Sequence, residues 1–507
     1  MDSNRIREAV ADRWSRQALP TTRSLAALVA VPALSPAFDE RWEAEGHLRT
    51  AVDHVRAWIT ARALPGTQAE VIQADGCPPL LLVEFPATRP AADNGTVLIY
   101  GHLDRQPPLD GWSDGLAPWH AVLRDGKLYG RGTVDGGYAG YAVVTALEAA
   151  RAAGGQHSRV VLLLETGAES GSPHMSAYLE QLEDRIGRVT LVLCLDSGGD
   201  DFERLWVTDS LRGMARVTLT VRVLDQAQHS GLASGIVPDS FRIMRELLDR
   251  VEDPASGRIK LEAMHAPPPA QRRAQAETAA SLSPGTSIGP GTAQHRYPLV
   301  QGMRPAQQDD VELILNNTWH PTLTVLGAAG LPLPPDAGNV LRTETSLVLG
   351  FRLAPTADPE AAKIALHEAL TTNVPYGATV RLENLTAQPG WLAPTPEPWL
   401  ETALSGIDKV VFGNRHVRHG SGASIPVIRL LHQRYPEAQF VVTGALGPNS
   451  NPHSPDECLD LAFAQRITEF TAHLLDAHAY APRRSQALEN AWPVPAPRNP
   501  ARPDVRW

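Results

Sequence analysis

Residues 96–104, with the sequence TVLIYGHLD, decide the fold of this chain. The run TVLIY contains β-branched, aliphatic and aromatic residues without polar alternation, which is typical of a strand buried on both faces of a sheet. Gly101 ends the run, and His102 and Asp104 follow it. Because residues i and i+2 of an extended segment point to the same side, the stretch predicts a central strand that places an imidazole and a carboxylate together at its carboxyl end.

Four more short apolar runs have the same character and are bounded by glycine, aspartate or charged residues. They lie at residues 80–85, 160–164, 191–195 and 440–443. The alanine-rich residues 140–153 predict a helix between two of these runs. Strands that alternate with helices predict a layered α/β domain around a parallel or mixed sheet.

The sequence pattern changes near residue 213. Alternating strands and helices are predicted at residues 214–223, 238–250, 345–353, 358–370 and 378–385. We therefore expect a discontinuous α/β catalytic domain at residues 1–212 and 390–480, interrupted by an α+β domain at 213–389. Residues 253–308, rich in proline, alanine and glycine, predict a long irregular segment, and residues 481–507, rich in proline and arginine, an extended tail.

The composition limits which functions and which cellular compartment are expected for this chain. A net charge of −10 over 507 residues does not fit nucleic-acid binding. The 3 cysteines, Cys77, Cys194 and Cys458, do not suggest a disulfide framework and favour a reducing compartment. Residues 1–17 predict an amphipathic helix rather than a secretory signal, and no run reaches the roughly 18 apolar residues of a membrane span. We therefore expect a cytoplasmic protein that does not enter a membrane.

Five acidic and histidine residues stand at equivalent places in this pattern. They are His102, Asp135, Glu169, Asp196 and His453, and four of them lie past the carboxyl end of a predicted buried strand. In an α/β sheet, sites form at the carboxyl ends of the strands. A lone histidine or aspartate at such a place is usually structural, but five together predict a site. Two imidazoles and three carboxylates suit Zn²⁺ or Mn²⁺, and a bridging carboxylate allows two ions.

The order of motifs along the chain resembles a known family. The motifs are GHLD (101–104), DGKLYGRGTVD (125–135), ESGS (169–172), Asp196, HSG (229–231) and SIP (424–426). They are similar to those of the aminoacylase/carnosinase family of dinuclear metallopeptidases, especially its carnosine dipeptidase and cytosolic non-specific dipeptidase branch. The resemblance implies a zinc-exopeptidase-type catalytic domain with an inserted lid and dimerisation domain. It also implies a homodimer and two ions of zinc or manganese. Zinc is expected first, and cobalt also suits the ligand set. The reaction would be cleavage of an amide next to a free carboxylate, in a peptide or an N-acyl amino acid.

The resemblance also assigns the metal ligands. Asp135 matches the carboxylate that bridges the two ions. His102 and Asp196 match the other ligands of one ion, and Glu169 and His453 match those of the second.

Four further residues match family positions around the ligands. Asp104 matches the residue that orients the histidine ligand, as its place after His102 also suggests. His229 matches a lid histidine that reaches the site of the partner subunit. Arg352 matches the arginine that binds the substrate carboxylate, and Ser424 a substrate-contacting serine. The alternatives are an ordinary exposed histidine, an arginine paired with a structural carboxylate, and a turn serine.

One position departs from the family in a way that affects catalysis. Two adjacent glutamates are usual, the first being the general base, but here the pair is Ala168-Glu169. Alanine cannot transfer a proton, and Glu165 is expected to lie on the strand and to point to its opposite face. An engineered Glu→Ala change and a natural loss both explain this. We favour the first, because the other groups of the site are present.

Two other departures concern the rim of the site. Gly136-Gly137-Tyr138 replaces Asp-Lys-Gly, and residues 420–423 read GSGA where Arg-Glu-Gly-Gly is usual. The loss of charge predicts a less polar or bulkier substrate. The alternatives for the whole chain are a deacylase or amidase acting on a non-peptide amide, and a metal-binding pseudoenzyme that recognises peptides.

Overall fold

The computed structural model describes residues 1–14, 20–90, 94–282 and 299–482. The strands of these residues, numbered β1 to β18 in chain order, are Gln68–Ile72, Leu80–Phe85, Thr96–His102, Val122–Arg124, Lys127–Tyr129, Val160–Glu165, Val189–Cys194, Trp206–Leu211, Gly213–Arg222, Gln228–His229, Thr322–Ala329, Val340–Leu341, Glu344–Leu353, Thr379–Gln388, Trp391–Leu392, Val417–Ser421, Gln439–Val442 and Cys458–Asp460. The α-helices of the same residues, numbered α1 to α15, are Ser3–Trp14, Pro20–Val29, Trp42–Glu45, His47–Thr60, Ala139–Ala152, Met175–Gln181, Glu183–Ile186, Ser230–Ala233, Ser240–Val251, Ala270–Ala280, Asp310–Thr318, Pro359–Thr371, Pro398–Ile407, Pro426–Arg434 and Leu461–Ala479.

A six-stranded mixed sheet forms the centre of the protein, in the order β1-β2-β6-β3-β7-β17. Strands β6, β3, β7 and β17 are parallel, whereas β2 pairs antiparallel with β6 and β1. The prediction of a mixed α/β sheet is therefore confirmed. The five buried runs read from the sequence correspond to β2, β3, β6, β7 and β17, with ends that differ by at most two residues.

Strands β2, β3, β6, β7 and β17 are buried on both faces of this sheet, as their unalternating sequences predict, whereas the edge strand β1 is partly exposed. Along β3, Val97 and Ile99 contribute to one core, and Leu98 and Tyr100 contribute to another. Helices α1, α5 and α15 supply buried residues to the first core, and α6 and α14 supply them to the second. Because helices cover both faces of the sheet and exclude water from them, polar side chains can cluster at the carboxyl edge of its parallel strands.

A second sheet is antiparallel and has four strands, in the order β11-β13-β9-β14. Burial alternates strictly along β13, because one face packs on α9 and α12 while the other is more exposed. This confirms the predicted α+β part of the fold. The exact domain boundaries, at residues 212/213 and 389/390, remain predictions.

The structure differs from the expectation of a long irregular segment at residues 253–308. Residues 270–280 form α10, whose buried side chains are Arg272, Ala276 and Ala279. Their spacing is helical, but two alanines and an arginine do not form a clear apolar stripe. The helix therefore could not be recognised from the hydrophobic pattern of the sequence. Helix α11 and the exposed edge strand β11 were not predicted either. Residues 283–298 of this segment, and residues 483–507 of the tail predicted at 481–507, lie outside the described residues.

No helix of the described residues combines the length and the apolarity that crossing a membrane requires.

Candidate active site

His102 stands at the end of β3 and is almost completely buried. Its Nε2 atom lies 3.3 Å from Oδ1 of Asp135 and 3.3 Å from Oδ1 of Asp196. Its other nitrogen, Nδ1, donates to the backbone carbonyl of Asp104 over 3.2 Å, and Oδ1 of Asp104 lies 3.4 Å away. The backbone and carboxylate of Asp104 thus direct Nε2 of His102 toward the two other carboxylates.

Asp135 lies in a tight turn between β5 and α5. Its backbone is not helical (φ −87°, ψ 93°), and the next residue, Gly136, is left-handed with φ 78°. A Cβ atom on Gly136 would lie 2.6 Å from Nε2 of His102, so only glycine allows the imidazole to lie against this turn. The turn presents the carboxylate of Asp135 to the carboxyl edge of the sheet.

Asp135 is shared by a second group of ligand-type atoms. Its Oδ2 atom lies 2.9 Å from Nε2 of His453, which in turn is 3.5 Å from Oε1 of Glu169. In each group, His102–Asp135–Asp196 and Asp135–Glu169–His453, the ligand-type atoms lie within 4.8 Å of one another. The five residues predicted from the sequence are therefore brought together, with Asp135 common to both groups.

His453 belongs to a loop with unusual backbone geometry. Its own φ is 60°, and Asn449, Asn451 and Asp456 are also left-handed, with φ of 59°, 49° and 60°. Such conformations are rare outside glycine and cluster at functional sites. The loop leaves the His453 side chain 54% exposed while its Nε2 atom reaches Asp135.

The electrostatics of the site follow from the opposed charges of these groups. Burial lowers the pKa of His102, but Asp196, Asp104 and Asp135 outweigh it and raise this pKa well above its ordinary value. Burial also lowers the pKa of His453, whereas Asp135 and Glu169 raise it to about 10. Burial favours neutral Asp135, yet the two imidazoles hold its pKa well below the ordinary value. The site therefore attracts positive charge, whether carried by protons or by metal ions.

Asp104 also fastens the short turn that carries Ala168 and Glu169. Its Oδ2 atom accepts the backbone N–H of Glu169 at 2.9 Å, and Oδ1 accepts that of Ala168 at 3.3 Å. A further bond, from Nε2 of Gln106 to Oε2 of Glu169 at 2.7 Å, leaves Oε1 directed at His453. Asp104 thus positions one side chain in each of the two groups.

A cavity of about 560 Å³ opens onto these residues and includes Ala168 in its wall. Arg352 and Ser424 line the same cavity, and Nη1 of Arg352 donates to Oγ of Ser424 over 2.9 Å. Burial lowers the pKa of Arg352, while burial and the charge of Arg352 lower the pKa of Arg212 to about 10. Arg212 and Arg352 thus place two cationic side chains in the wall of the cavity.

His229 is not in the wall of this cavity. It lies in β10 on the surface, where its Nδ1 atom accepts the backbone N–H of Gly231 at 3.1 Å. Leu232 and Ile236 beside it are 78% and 81% exposed. Within one chain, therefore, the structure does not bring His229 to the other predicted site residues.

Three residues of the site region escaped the sequence reasoning. Gln106 could have been found, because it lies on the extended segment two residues beyond Asp104. Arg212 connects β8 to β9 and donates to the carbonyls of Gly422, Asn316 and His320. These contacts are distant in sequence, and no local pattern predicts them. Glu457 is fully buried and accepts the backbone N–H groups of Val134 and Asp135 at 3.3 and 3.2 Å.

The fold and the two groups of ligand-type residues are those of a metallopeptidase. The chain belongs to peptidase family M20/M25/M40, whose model matches residues 98–477. It is accordingly a hydrolase by family, as the sequence motifs predicted, and the resemblance to the carnosinase branch is confirmed.

Two relatives illustrate the similarity in sequence. The cysteinylglycine-S-conjugate dipeptidase of Corynebacterium striatum is 25% identical over 394 residues, which are 76% of this chain and 82% of the relative. The human Beta-Ala-His dipeptidase is 25% identical over 371 residues, which are 70% of this chain and 69% of the relative.

Solved structures show the same fold. The dipeptidase Dug1p of Saccharomyces cerevisiae matches with a TM-score of 0.77 at 19% identity, over 95% of this chain and 99% of that one. Human carnosine dipeptidase 1 matches with a TM-score of 0.74 at 20% identity, over 94% of this chain and 98% of that one. Enzymes of this fold and family depend on divalent metals, and the two ligand groups described above are where this chain can hold them.

Proposed function

We propose that this chain holds two divalent metal ions and has the site for hydrolysing an amide bond in a peptide or N-acyl amino acid with a free carboxylate. The observation that supports the proposal is that the two carboxylate oxygens of Asp135 face different histidines. One of its oxygens faces His102 and the other faces His453. A carboxylate placed in this way is the bridging ligand that a pair of ions needs.

The donor atoms fit the proposed ions. Each group offers one imidazole nitrogen and carboxylate oxygens, a set that suits Zn²⁺ best and also Mn²⁺ and Co²⁺. His102 and Asp196 would hold one ion, Glu169 and His453 the other, and Asp135 both. Bound ions of this kind lower the pKa of a water molecule and polarise a carbonyl group.

The other residues of the cavity would bind and orient the substrate. Arg352, held by Ser424, would grip the free carboxylate through a guanidinium fork. Asp104 would keep His102 in the required tautomer. The names of the relatives, a cysteinylglycine-S-conjugate dipeptidase and a Beta-Ala-His dipeptidase, support a substrate of dipeptide size.

One wall of the cavity supports a substrate with an uncharged side chain or acyl group. It is formed by Ala279, Ile314, Asn317 and Thr318, from α10 and α11, and carries no charge. A kinetic panel on the Ala168→Glu variant would compare small charged dipeptides with bulky apolar peptides and N-acyl amino acids. Higher kcat/KM for the charged set would contradict this part of the proposal.

The general base is the group that the chain lacks. Ala168 lies in the cavity wall beside Glu169, so a glutamate in its place could take a proton from the attacking water and pass it to the leaving amine. Glu165 is not proposed as a substitute, because its carboxylate already accepts the hydroxyl groups of Tyr100 and Ser172. We infer that Ala168 replaces a catalytic glutamate, most simply through an engineered change.

The decisive experiment is to restore that glutamate. We expect Ala168→Glu to raise kcat by about 10²- to 10⁴-fold, the usual worth of a positioned general base. Ala168→Gln is the matched control, since it has the same size but cannot accept the proton, and its kcat should stay low. Bound metal without hydrolysis by the Ala168→Glu variant would favour the peptide-binding pseudoenzyme instead. Hydrolysis of non-peptide amides alone would favour the deacylase or amidase.

Metal analysis tests the site independently of activity. We expect two ions per chain after reconstitution with Zn²⁺, a loss of both in Asp135→Ala, and retention of one in Asp196→Ala. Well under one ion per unsubstituted chain would overturn the proposed metal site.

We also propose that the active form is a cytoplasmic homodimer. The exposed edge strand β11 and the apolar Leu232 and Ile236 next to His229 offer a surface for a second copy. In such a dimer, His229 of one subunit would stabilise the oxyanion formed in the cavity of the other.

A further inference from the structure

Arg105 is a buried cation whose side chain has few partners. It follows Asp104 directly, and its side chain is only 1% exposed. Its Nη1 atom donates to the carbonyl of Gly132, while Nε and Nη2 have no hydrogen-bond partner among the described residues. Burial lowers the pKa of Arg105, and the nearby charges of Glu457, Asp135 and Asp104 oppose this effect. Arginine stays charged under such conditions, so a positive charge is held inside the protein beside three carboxylates.

The turn that leads to Asp135 is built around this guanidinium. A Cβ atom on Gly132 would overlap Nη1, Cδ and Cζ of Arg105, and a Cβ atom on Gly137 would lie 2.8 Å from Nη1. Gly132 is also left-handed, with φ 74°. The glycines on both sides of Asp135 therefore leave the space that the Arg105 side chain fills. This gives a packing reason for glycine at position 137, where the sequence departs from the family pattern.

A buried anion, Glu457, also bonds the backbone of this turn. Oε1 of Glu457 accepts the backbone N–H groups of Val134 and Asp135 at 3.3 and 3.2 Å. Oε2 of Glu457 is fixed by Nη1 of Arg131 at 2.8 Å. Residues 132–135 are thus held by a cation through a carbonyl and by an anion through N–H groups. Each of these bonds acts on backbone within three residues of the shared ligand.

We propose that Arg105 is a positioning residue for Asp135, and that together with Glu457 it sets the affinity of the site for a divalent cation. This inference rests on the metal site proposed above. Groups that hold a ligand in place typically change metal affinity by about 10- to 100-fold when they are removed. The effect arises because a ligand that is already in place loses less conformational freedom when the cation binds.

The test compares Zn²⁺ affinity in three variants by competition with a chromophoric chelator, without any activity assay. In Arg105→Met, which keeps much of the length but not the charge or the fork, we expect the Kd for Zn²⁺ to rise by about 10- to 100-fold. In Arg105→Lys, which keeps only the charge, an intermediate rise is expected. The matched control is Arg159→Met. Arg159 also donates to a backbone carbonyl, that of Ile186, and it donates to Oγ1 of Thr96 at the start of β3, the opposite end from His102. The Kd of Arg159→Met should therefore not change.

A second readout separates positioning from general destabilisation. The visible absorption spectrum of the Co²⁺-loaded protein reports the geometry of the ligands, and it should change in both Arg105 variants but not in Arg159→Met. Kd values within about twofold of the unsubstituted protein and an unchanged Co²⁺ spectrum would overturn the inference. If Arg105→Met does not fold, Arg105→Lys decides by the same criteria. Failure of the unsubstituted protein to bind Zn²⁺ would overturn the metal site itself, and this inference with it.

Discussion

Nη1 of Arg352 donates to Oγ of Ser424 over 2.9 Å, although 72 residues separate them in sequence. Arg352 belongs to β13 of the four-stranded sheet, whereas Ser424 lies in the loop after β16. The serine hydroxyl in turn donates to the carbonyl of Arg212 over 2.5 Å. The contact therefore joins the two parts of the fold at the cavity and fixes the direction of the Arg352 guanidinium.

From this contact we predict how substrate binding depends on Arg352. In the Ala168→Glu background, Arg352→Met should raise KM by about 10- to 100-fold, because a hydrogen bond to a charged group is worth about 1.5–3 kcal/mol. Ser424→Ala should raise KM less, since it loosens the arginine without removing it. The measurement is steady-state kinetics on a dipeptide and on its C-terminal amide.

The amide serves as the control for this prediction. A carboxylate bound by Arg352 makes the parent enzyme prefer the acid over the amide, and this preference should disappear in Arg352→Met. If the preference persists, another group binds the carboxylate, and Arg212 in the same cavity would be the first to examine.

A second prediction concerns the contribution of one subunit to the site of another. In the Ala168→Glu background, His229→Ala and Asp135→Ala should each be nearly inactive. Mixed under conditions that allow subunits to exchange, they should regain activity, because a hybrid dimer contains one site with intact ligands and a His229 from the other chain. Dimer formation would be followed by light scattering.

The same mixture also shows how this prediction could fail. Two variants that each lose a metal ligand of their own chain cannot complement each other, because no subunit of the hybrid dimer then has a complete ligand set. Mixing Asp135→Ala with Asp196→Ala is therefore the negative control. Hybrid dimers without activity in the His229 mixture would show that His229 acts elsewhere, or not in catalysis.

Much of this site could be predicted because its ligands follow strong local signals. His102 and Asp196 come after unalternating apolar runs, and the carboxyl ends of parallel strands meet at one edge. The sequence therefore predicts that they meet without any knowledge of the loops. His453 was grouped with them although its loop has no regular structure, and the structure brings its Nε2 atom to 2.9 Å from Oδ2 of Asp135.

The rest depends on contacts that no local pattern encodes. Glu457 lies 322 residues from the backbone N–H that it accepts at Asp135, and Arg105 is buried although arginine is rarely so. Helix α10 was missed because its buried face is alanine and arginine. Its position depends on the long-range bond from Nη1 of Arg272 to Oδ2 of Asp209 at 3.0 Å.

The structure also gives a packing reason for the glycine-rich sequence at residues 420–423, and this leads to a third prediction. A Cβ atom on Gly420 would lie 2.8 Å from Oγ of Ser210 and 2.9 Å from Cβ of Thr318 in α11. We expect Gly420→Ala to lower the free energy of unfolding by about 1–3 kcal/mol, as overpacking does, in urea denaturation followed by circular dichroism.

Gly406 provides a matched control for this substitution. It lies in α13, and a Cβ atom there would have nothing within 4 Å. Gly406→Ala should therefore raise the free energy of unfolding by about 0.5–1 kcal/mol, because alanine restricts the unfolded chain and favours the helix. Equal effects of the two substitutions would show that α11 does not press on the 420–423 loop.

Two buried histidines away from the active site predict how stability depends on pH. Burial lowers the pKa of both His157 and His478 to about 4, and the charges of Arg151 and Arg188, respectively, act in the same direction. Nε2 of His157 accepts a bond from Nε of Arg151 at 2.9 Å, so a proton there would break the bond and place two cations together. His478 is 1% exposed, and its two ring nitrogens bond the hydroxyl groups of Ser158 and Thr190.

The unfolded chain binds protons at these histidines near pH 6.5, whereas the folded chain does so only near pH 4. The stabilisation that arises from keeping these histidines neutral is therefore fully present above pH 6.5. As the pH falls toward 4 it is lost, which lowers the free energy of unfolding by up to roughly 3 kcal/mol per histidine. Urea denaturation at several pH values should show this loss, and His157→Gln or His478→Gln should each make the profile flatter. His367→Gln, a change at an exposed position of α12, is the control. A loss of the same steepness in all the variants would mean that carboxylates, rather than these two imidazoles, cause the acid unfolding.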